Sequence, residues 1–518
     1  MKKSFFSKSY WAVALGLLAG ISACKKDDNN DVTPDDTRDV VVVSGVITQN
    51  TTWTKDKVYL LRGFVRVGTD TVATPTFTPA TPTLTIEPGT VILGDRESKG
   101  TLIIQRGAKI IADGTAAEPI IMTSERAVGS RRAGDWGGLV ICGKARNNVT
   151  GESPQLEGGY KAFHGGTDDD DNSGIVRFVR IEYAGIAVQP NQEVNSLTMG
   201  SVGRGTIIEN VQTSFGLDDA FEWFGGNVNC KNLVAFACLD DDFDVDLGYN
   251  GNVQFALSIK DPNAADQSGS NGFEVDNNGG GTATTLVTSP IFSNVTVIGP
   301  KATRETTISV QYQSAAQLRR GNNIKIYNSF FTGYPNGIFL DDNGAVNVTE
   351  EAAAGRLVLK GNVLAGVDNW GGNGFGSEGS VFGPGTPANG MNHSPNIPRG
   401  SDVLGGDATF INGAYTVTPV NVGSESARDW FLNNNTILPK WQDAGIQLNI
   451  FAAEGNFPPA VLPTSGAALL SGAVSFGTAE LPSAFFTTVS FRGAFGTDNW
   501  TANWTEWNPN AVAYPGTF

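Results

Sequence analysis

The sequence predicts an all-β fold, a right-handed parallel β-helix (a solenoid) with a C-terminal capping region. The first observation is a repeat: residues 217–226 (LDDAFEWFGG) return 22 residues later as residues 239–248 (LDDDFDVDLG). The second is an alternation of apolar and acidic residues with a period of two, which is typical of short strands. The third is a content of 64 glycines in 518 residues, which suits a chain with many sharp corners.

The repeat continues along the chain. A third copy stands at residues 272–277 (GFEVDN) and a weaker one at residues 337–341 (GIFLD). The third copy follows 30 residues after the second. A unit that recurs at intervals of this order buries its apolar face only against its neighbours, so successive copies are expected to stack. The rings predicted to lie on top of one another in the interior are those of Phe221, Phe243 and Phe273.

Two other spacings predict how the coils are aligned. The apolar residues that begin the preceding strands, Val211, Leu233 and Phe255, keep the step of 22 and are expected to stack as well. Residues 84–92 (LTIEPGTVI) return 18 residues later as residues 102–110 (LIIQRGAKI), which predicts smaller coils at the start of the solenoid.

Stacking also predicts an acidic ladder on the outside of the coil. Glu222, Asp244 and Glu274 would form one outward row, with Asp246 and Asp276 in the next. Neighbouring strands lie ~4.8 Å apart, and like charges at that separation destabilise a sheet. Full hydration, a raised pKa or a bound cation such as calcium would each relieve the repulsion. A hydrated acidic face, a calcium site and a catalytic carboxylate pair therefore all remain open.

A second acidic segment lies in the loop at residues 165–174 (GGTDDDDNSG), which contains Asp168, Asp169, Asp170 and Asp171. The loop lacks the ligand spacing and the terminal glutamate of an EF-hand. It is interpreted either as a calcium loop or as a solvated loop.

Composition narrows the possible functions. The formal net charge of −16 argues against nucleic acid as a partner, because phosphate binding requires clustered lysine and arginine. Two histidines leave little room for a histidine-based metal site or triad. Outside the N-terminal segment the cysteines are Cys142, Cys230 and Cys238; the last two could pair, but no disulfide framework is indicated.

The N-terminal segment has the features of a targeting signal. Lys2 and Lys3 form the charged start of residues 1–23, and the apolar run at residues 11–21 is too short to span a membrane as a mature helix. Residues 21–24 (ISAC) resemble a bacterial lipobox, which makes Cys24 the expected lipidation site. Residues 25–28 (KKDD) resemble the surface-export signal of Bacteroidota lipoproteins, which implies a lipid anchor in the outer membrane with the protein facing outward.

The remaining chain divides by composition. Residues 24–39 are expected to be a flexible acidic tether, residues 40–370 the β-helix, and residues 371–400 a loop rich in Gly, Asn and Pro. Residues 401–518 are expected to form the cap, since a solenoid must cover its last apolar turn. The tryptophans of residues 499–507 are assigned to that cap; the alternative is a platform on which sugars stack.

Several short motifs together resemble a known family. They are WGG at 136–138, DDDNSG at 169–174, RIEYAG at 180–185, DDAFE at 218–222, DDDFD at 240–244 and SNGFE at 270–274. The run is similar to a family of uncharacterised Bacteroidota and marine bacterial surface lipoproteins with a pectin-lyase-like β-helix. The likeness covers most of residues 80–345 and the end of the chain. It implies the fold but no established activity.

Three functions follow as hypotheses. The first is a non-catalytic binding or adhesion module for glycans or another cell-surface protein, since neither a nucleophile nor a histidine base is recognisable. The second is a polysaccharide lyase or hydrolase, with Arg319 or Arg320 as the base; an ion pair with the acidic face is the competing interpretation, and the lyase motifs are absent. The third is a structural role in the envelope or matrix, stabilised by calcium. No catalytic residue is assigned.

Overall fold

The protein is a right-handed parallel β-helix, as predicted. The computed structural model describes residues 38–149, 153–190, 192–303, 306–309, 311–366, 403–411, 414–452, 455 and 457–518. The expected signal peptide, Cys24, nearly all of the tether and the loop at 371–400 lie outside these residues. Within the described part of the chain, no helix combines the length and apolar character needed to cross a membrane.

Strands make up most of the described elements. In chain order they are β1 (Asp39–Ile47), β2 (Thr51–Trp53), β3 (Lys57–Val67), β4 (Thr83–Ile86), β5 (Val91–Gly94), β6 (Thr101–Ile104), β7 (Lys109–Asp113), β8 (Ile120–Ser124), β9 (Gly138–Cys142), β10 (Gly174–Glu182), β11 (Leu197–Val202), β12 (Ile207–Ser214), β13 (Phe221–Gly226), β14 (Asn229–Phe236), β15 (Phe243–Asp246), β16 (Asn252–Ile259), β17 (Phe273–Val275), β18 (Ile291–Ile298), β19 (Ser314–Arg319), β20 (Lys325–Tyr327), β21 (Phe330–Thr332), β22 (Asn336–Asp341), β23 (Val358–Lys360), β24 (Val363–Ala365), β25 (Val403–Ile411), β26 (Ala414–Pro419) and β27 (Thr436–Leu438). The α-helices are α1 (Val348–Ala353) and α2 (Ala427–Leu432), and single turns of 3-10 helix stand at Glu157–Gly159, Trp441–Ala444, Leu448–Ile450, Ala468–Leu470 and Pro509–Ala511.

The parallel pairings arrange these strands in three faces. Face A contains β2, β4, β7, the first halves of β10, β12, β14, β16 and β18, and then β20 and β23. Face B contains the first halves of β1 and β3, then β5, β8, the second halves of the same long strands, and β21, β24 and β27. Face C begins with the second halves of β1 and β3 and continues through β6, β9, β11, β13, β15, β17, β19, β22 and β25.

The corner between faces A and B is made by one row of non-glycine residues in the left-handed region. Their φ angles lie between 48° and 62°, and asparagine tolerates this region better than most side chains. The row comprises Phe178, Asn210, Asn232, Phe255, Asn294 and Asn328. The bend lets one continuous strand serve two faces of the coil.

The strand pairing corrects one predicted alignment. Val211 does stack on Leu233, but the next residue in that column is Ala256. Phe255 takes the corner position with a φ of 62°, and its ring lies outside the coil, 6.1 Å from that of Phe491. This coil is therefore one residue longer than the step of 22 implies.

The first coils correct a second alignment. The repeated segments at 84–92 and 102–110 do not stack, because Leu84 pairs with Ile110 on face A, whereas Leu102 pairs with Leu139 on face C. The step of 18 relates strands on different faces of the coil, and the early coils are not smaller by that amount.

The predicted aromatic column is confirmed. Phe221 pairs with Phe243, and Phe243 pairs with Phe273. The ring centroids are 6.1 Å apart in the first pair and 5.0 Å apart in the second, and all three rings are fully buried. Contacts at these distances add to the stability that burial of the rings provides.

The coil continues beyond residue 370. β25 stacks on β22 along face C, and β27 stacks on β24 along face B. β25 and β26 then form an antiparallel hairpin, and the buried Phe431 of α2 joins the main apolar core. Part of the segment expected to be a cap thus belongs to the solenoid, and α2 covers its last turn.

The rest of the predicted cap has a different place. The described residues of 439–518, here called the strap, lie on the outside of the coil and reach from its last turns back to its first. Hydrogen bonds join the strap to the coil along this course. The pairs are Trp441 with Ala302, Val474 with Asn328, Thr487 with Gln254, Glu506 with Gln212, and Tyr514 with Glu182. Residue 516 finally lies against Val40 of β1.

The strap is held there by an apolar surface. Val234, Phe236, Leu257 and Ile259 point outward from face B and are buried together with strap side chains. An exposed patch of this kind on a solenoid requires a cover.

The predicted roles of the tryptophans change accordingly. Trp504 lies 5.9 Å from Phe178, and Trp507 lies 5.1 Å from Phe236, with only 2% and 7% of their surfaces exposed. They pack on the side of the coil and neither cap its last turn nor form an open stacking platform. The three cysteines in the described residues are buried free thiols.

An acidic groove on face C

A groove of about 600 Å³ lies on the outside of face C, where β13, β15 and β17 begin. It is called the acidic groove, because ten carboxylates line it and Arg319 is the one cation among its described lining residues. The ten are Glu157, Glu193, Asp218, Asp219, Glu222, Asp240, Asp241, Asp244, Asp266 and Glu274.

The strands supply three of these groups in the predicted row. Glu222 pairs with Asp244, and Asp244 pairs with Glu274, in successive coils. Because side chains alternate along a strand, the phenylalanine that precedes each acid points into the core while the acid points outward. The same stacking that builds the aromatic column therefore builds the acidic ladder.

The turns before the strands supply four more groups, which also connect the coils. The Asp219 Oδ1 atom accepts a hydrogen bond from the backbone N–H of Asp241 at 2.8 Å. The Asp241 Oδ1 atom in turn accepts one from the N–H of Asn271 at 2.5 Å. The repeated Asp-Asp pair thus satisfies backbone donors of the next coil while it brings Asp218 and Asp240 to the groove.

Three groups of carboxylates are close enough to share a cation. In each group one oxygen from every residue lies within 4.8 Å of the others. The groups are Asp218, Asp219 and Asp240; Asp219, Glu222 and Asp244; and Asp241, Asp244 and Glu274. Since Asp219 and Asp244 each belong to two groups, the three form one chain, and carboxylate oxygen is the ligand that calcium prefers.

Burial and mutual repulsion raise the pKa values of these acids. Desolvation is the largest cause at every one, followed at most of them by the charge of a neighbouring carboxylate. The pKa of Asp241 is raised to about 7 and that of Glu274 to about 8, although Arg319 lowers the latter. Five further carboxyls have pKa values raised well above the usual range, namely Asp218, Asp219, Glu222, Asp240 and Asp244.

Arg319 and Arg320 take part in ion pairs. Arg319 donates to Glu274, and its Nε atom donates to the Asp276 Oδ1 atom at 2.7 Å. The Arg320 Nη1 atom donates to the Asp276 Oδ2 atom at 2.5 Å. Of the two interpretations of these arginines, the structure shows the ion pair with the acidic face.

Asp246 and Asp276, which were also predicted as ligands, lie outside the groove and outside the three carboxylate groups. Asp276 is engaged by the two arginines, and the Asp246 Oδ1 atom accepts from the N–H of Leu247 at 2.6 Å. Burial, followed by the charge of Asp276, raises the pKa of Asp246 to about 7.

The predicted loop at Asp168–Asp171 lies apart from these groups. The Arg146 Nε atom donates to Asp169 at 2.9 Å, and the Arg204 Nε atom donates to Asp170 at 2.6 Å.

The other two acids of this loop, Asp168 and Asp171, also accept hydrogen bonds. The Asp171 carboxylate accepts from the N–H of Lys144 at 3.1 Å, and the Asp168 carboxylate accepts from the N–H of Asp170 at 3.2 Å. None of the carboxylate groups found in the described residues includes this loop.

Sequence reasoning used Asp218, Asp219, Asp240 and Asp241 only to define the repeat and did not assign them to a site. It also missed the groove residues Glu157, Glu193 and Asp266. Each of these three lies in a segment between strands and is distant in sequence from the other two. A single acid in such a segment belongs to no repeat, so no sequence pattern marks it. The Ser268 hydroxyl links Asp266 to the ladder, since it lies 2.8 Å from the carboxylates of both Asp240 and Asp266.

Beneath the groove lies a fully buried ion pair. The Lys260 Nζ atom is 3.1 Å from the Asp242 Oδ1 atom and also donates to the backbone oxygens of Cys238 and Asp240. Burial raises the pKa of Asp242 to about 6, although Lys260 and Ser258 lower it. The pair fixes the turn that presents Asp240 and Asp241 to the groove.

Comparison with protein families agrees with this architecture. A family model described as the pectate-lyase-like β-helix domain matches residues 45–369. The chain belongs to this family. Comparisons with curated proteins and with solved structures found no match. Membership in the pectate-lyase-like family accounts for the coil and supports a role related to glycans.

Proposed function

We propose that the protein is a surface-exposed, non-catalytic binding module that holds calcium in the acidic groove and uses it to bind acidic glycans. The observation that carries the proposal is the convergence of ten carboxylates on one groove whose described lining holds a single cation, Arg319. A divalent ion bound by the linked groups would offset their repulsion. Its remaining coordination positions would accept carboxylates of a uronate polymer, which the groove alone would repel.

The ion pairs of Arg319 and Arg320 support a glycan-binding role over catalysis of polysaccharide elimination. Arg319 is held by Glu274 and Asp276, and Arg320 by Asp276, so each guanidinium is engaged in an ion pair. An arginine in this state is a poor Brønsted base, because its pKa lies far above neutrality.

The location is part of the same proposal. Lipidation at Cys24 would anchor the protein in the outer membrane, with residues 24–39 as a tether and the coil facing outward. Labelling with a radioactive fatty acid should mark the wild-type protein and not Cys24→Ala. Protease added to intact cells should degrade the anchored protein; full protection, or labelling of the variant, would contradict the anchor.

Calcium binding can be tested by calorimetric titration of protein first treated with EDTA. Asp244→Asn combined with Glu274→Gln should weaken binding at least about tenfold, which corresponds to ~1.4 kcal/mol. The control is Asp170→Asn, an exposed acid paired with Arg204 outside the groove, which should bind like the wild type. Absence of calcium binding, or equal binding by the two variants, would refute the metal site.

Glycan binding can be tested by electrophoresis in gels that contain polygalacturonate or alginate. The wild-type protein should be retarded when calcium is present and released when EDTA is added. Retardation that persists in EDTA would show that glycan binding does not depend on calcium in the groove, and would contradict the proposal.

A second candidate function is glycoside hydrolysis. The pKa values of Asp241 and Glu274, about 7 and about 8, would leave protonated carboxyls near neutral pH beside other acids, as a general acid requires. If the protein only binds, incubation with neutral and uronate-rich polymers should release no reducing ends. It should also give no unsaturated product absorbing near ~235 nm, the product of general-base elimination. Hydrolysis by the wild-type protein that Glu274→Gln abolishes would favour a glycoside hydrolase.

A further inference from the structure

A second pocket lies in the strap, on the side of the molecule formed by face B. It has a volume of about 480 Å³, which is within the range of small-molecule sites. Two segments of the strap form its walls, residues 457–459 and residues 499–508. This site is separate from the acidic groove and shares no lining residue with it.

Two aromatic side chains line the pocket. Phe457 is 42% exposed, whereas Trp507 is almost buried at 7%. Both pack edge-on against Phe236 of β14, at ring distances of 5.4 Å and 5.1 Å. The coil therefore holds an exposed apolar ring in a fixed position, and such a ring suits a ligand with a flat apolar face.

Carboxamides surround these rings. Asn499, Asn503 and Asn508 line the pocket, and all three are exposed. The Asn499 Oδ1 atom accepts from the N–H of Thr501 at 3.1 Å, and the N–H of Glu506 donates to Gln212 at 2.8 Å. The polar wall is thus built on backbone that the coil and the strap already fix, which lowers the entropic cost of binding.

The charge of the pocket distinguishes its ligand from that of the groove. Glu506 is the only ionisable residue among the described residues that line it, and its Oε1 atom accepts from the N–H of Asn508 at 2.7 Å. Without a cation in that lining, an anionic polymer gains no ion pair there. Carboxamides that surround an aromatic ring instead match a ligand with many hydroxyls and no charge.

We propose that this strap pocket binds a neutral oligosaccharide, with a sugar ring over Phe457 and its hydroxyls bonded to Asn503 and Asn508. The proposal does not depend on calcium or on the acidic groove. Together with the site proposed for the groove, it would give the molecule two carbohydrate sites of different chemistry on different faces.

The test is electrophoresis of the full chain, with EDTA present, in gels that contain galactomannan, xylan or mixed-linkage β-glucan. At least one of these polymers should retard the wild-type protein. Phe457→Ala should weaken that binding about tenfold or more, and Asn508→Ala, at an exposed position, should weaken it without a change in melting temperature.

Two controls make the result specific. Phe77→Ala removes another exposed phenylalanine, 50% exposed and outside the pocket, and should bind like the wild type. Asp244→Asn should also retain binding, since it alters only the groove. Absence of retardation by all three polymers, full binding by Phe457→Ala and Asn508→Ala, or binding that requires calcium would each overturn the proposal.

Discussion

Two acids of the groove and the neighbouring Asp246 link the stability of the protein to pH. Asp241, Asp246 and Glu274 have pKa values of about 7, 7 and 8 in the fold, well above the ~4 of an exposed carboxyl. The folded chain therefore retains protons that the unfolded chain has already released. The stability they contribute is fully present below the pKa of the unfolded state and is lost as pH rises through the folded pKa values.

Melting temperature should therefore fall between pH 5 and pH 8 when the protein is kept in EDTA. Calcium should reverse most of that loss at pH 8, because it binds the ionised form and stabilises the state that it binds. Scanning calorimetry at several pH values measures both effects. A melting temperature that does not change over this range, with or without calcium, would contradict the raised pKa values.

The buried pair beneath the groove leads to a second prediction. Lys260→Met should destabilise the fold by ~3–5 kcal/mol, because it leaves Asp242 buried without its cation. Lys260→Met combined with Asp242→Asn should recover part of that loss. Lys360→Met provides the control, since its pair with Glu480 is exposed and should contribute no more than ~1 kcal/mol. Urea denaturation at pH 7 distinguishes these cases, and equal effects of the two lysine changes would be inconsistent with the buried pair.

At the scale of elements, the stacked strands of face C depend on the aromatic column. Phe243 is fully buried between Phe221 and Phe273, so Phe243→Ala should cost ~3–5 kcal/mol through lost burial and a cavity. Phe77→Ala, at an exposed ring, should change stability by less than ~0.5 kcal/mol. Denaturant unfolding measures both, and a small effect at Phe243 would mean that the column does not support the coil.

The elements also show what the sequence could predict. Face C was predictable because acids and phenylalanines alternate and recur together, so one spacing determined both the core and the ladder. The alignment failed at Phe255 because the turn between β15 and β16 is one residue longer than the turn between β13 and β14, and the apolar pattern shows no break there. It failed at Leu84 because strands on different faces of one coil have similar sequences.

At the scale of the whole molecule, the strap was the feature that sequence could not locate. Its contacts join residues hundreds of positions apart, such as Glu506 with Gln212, and its irregular backbone gives no periodicity. The same reason explains why the loop acids of the groove were missed. Local pattern identifies units that repeat; it does not identify segments that fold onto them.

The strap should make unfolding more cooperative than in a solenoid with contacts only between neighbouring coils. Trp441 bonds Ala302 near the last coils, whereas Tyr514 bonds Glu182 and lies 4.7 Å from the Arg131 guanidinium near the first. Trp441→Ala and Tyr514→Ala should therefore each lower one common calorimetric transition. A separate early transition of the first coils in Tyr514→Ala would show that the coils melt independently.

The return of the strap brings residues 40 and 516 side by side, although almost the whole chain separates them in sequence. A Cβ atom placed on Gly516 would lie 3.0 Å from the Val40 Cγ2 atom. A donor and an acceptor fluorophore attached at exposed residues beside this contact, Val42 and Phe518, would transfer energy efficiently only while the strap is seated. The pair would thus report detachment of the strap as an event distinct from melting of the strands.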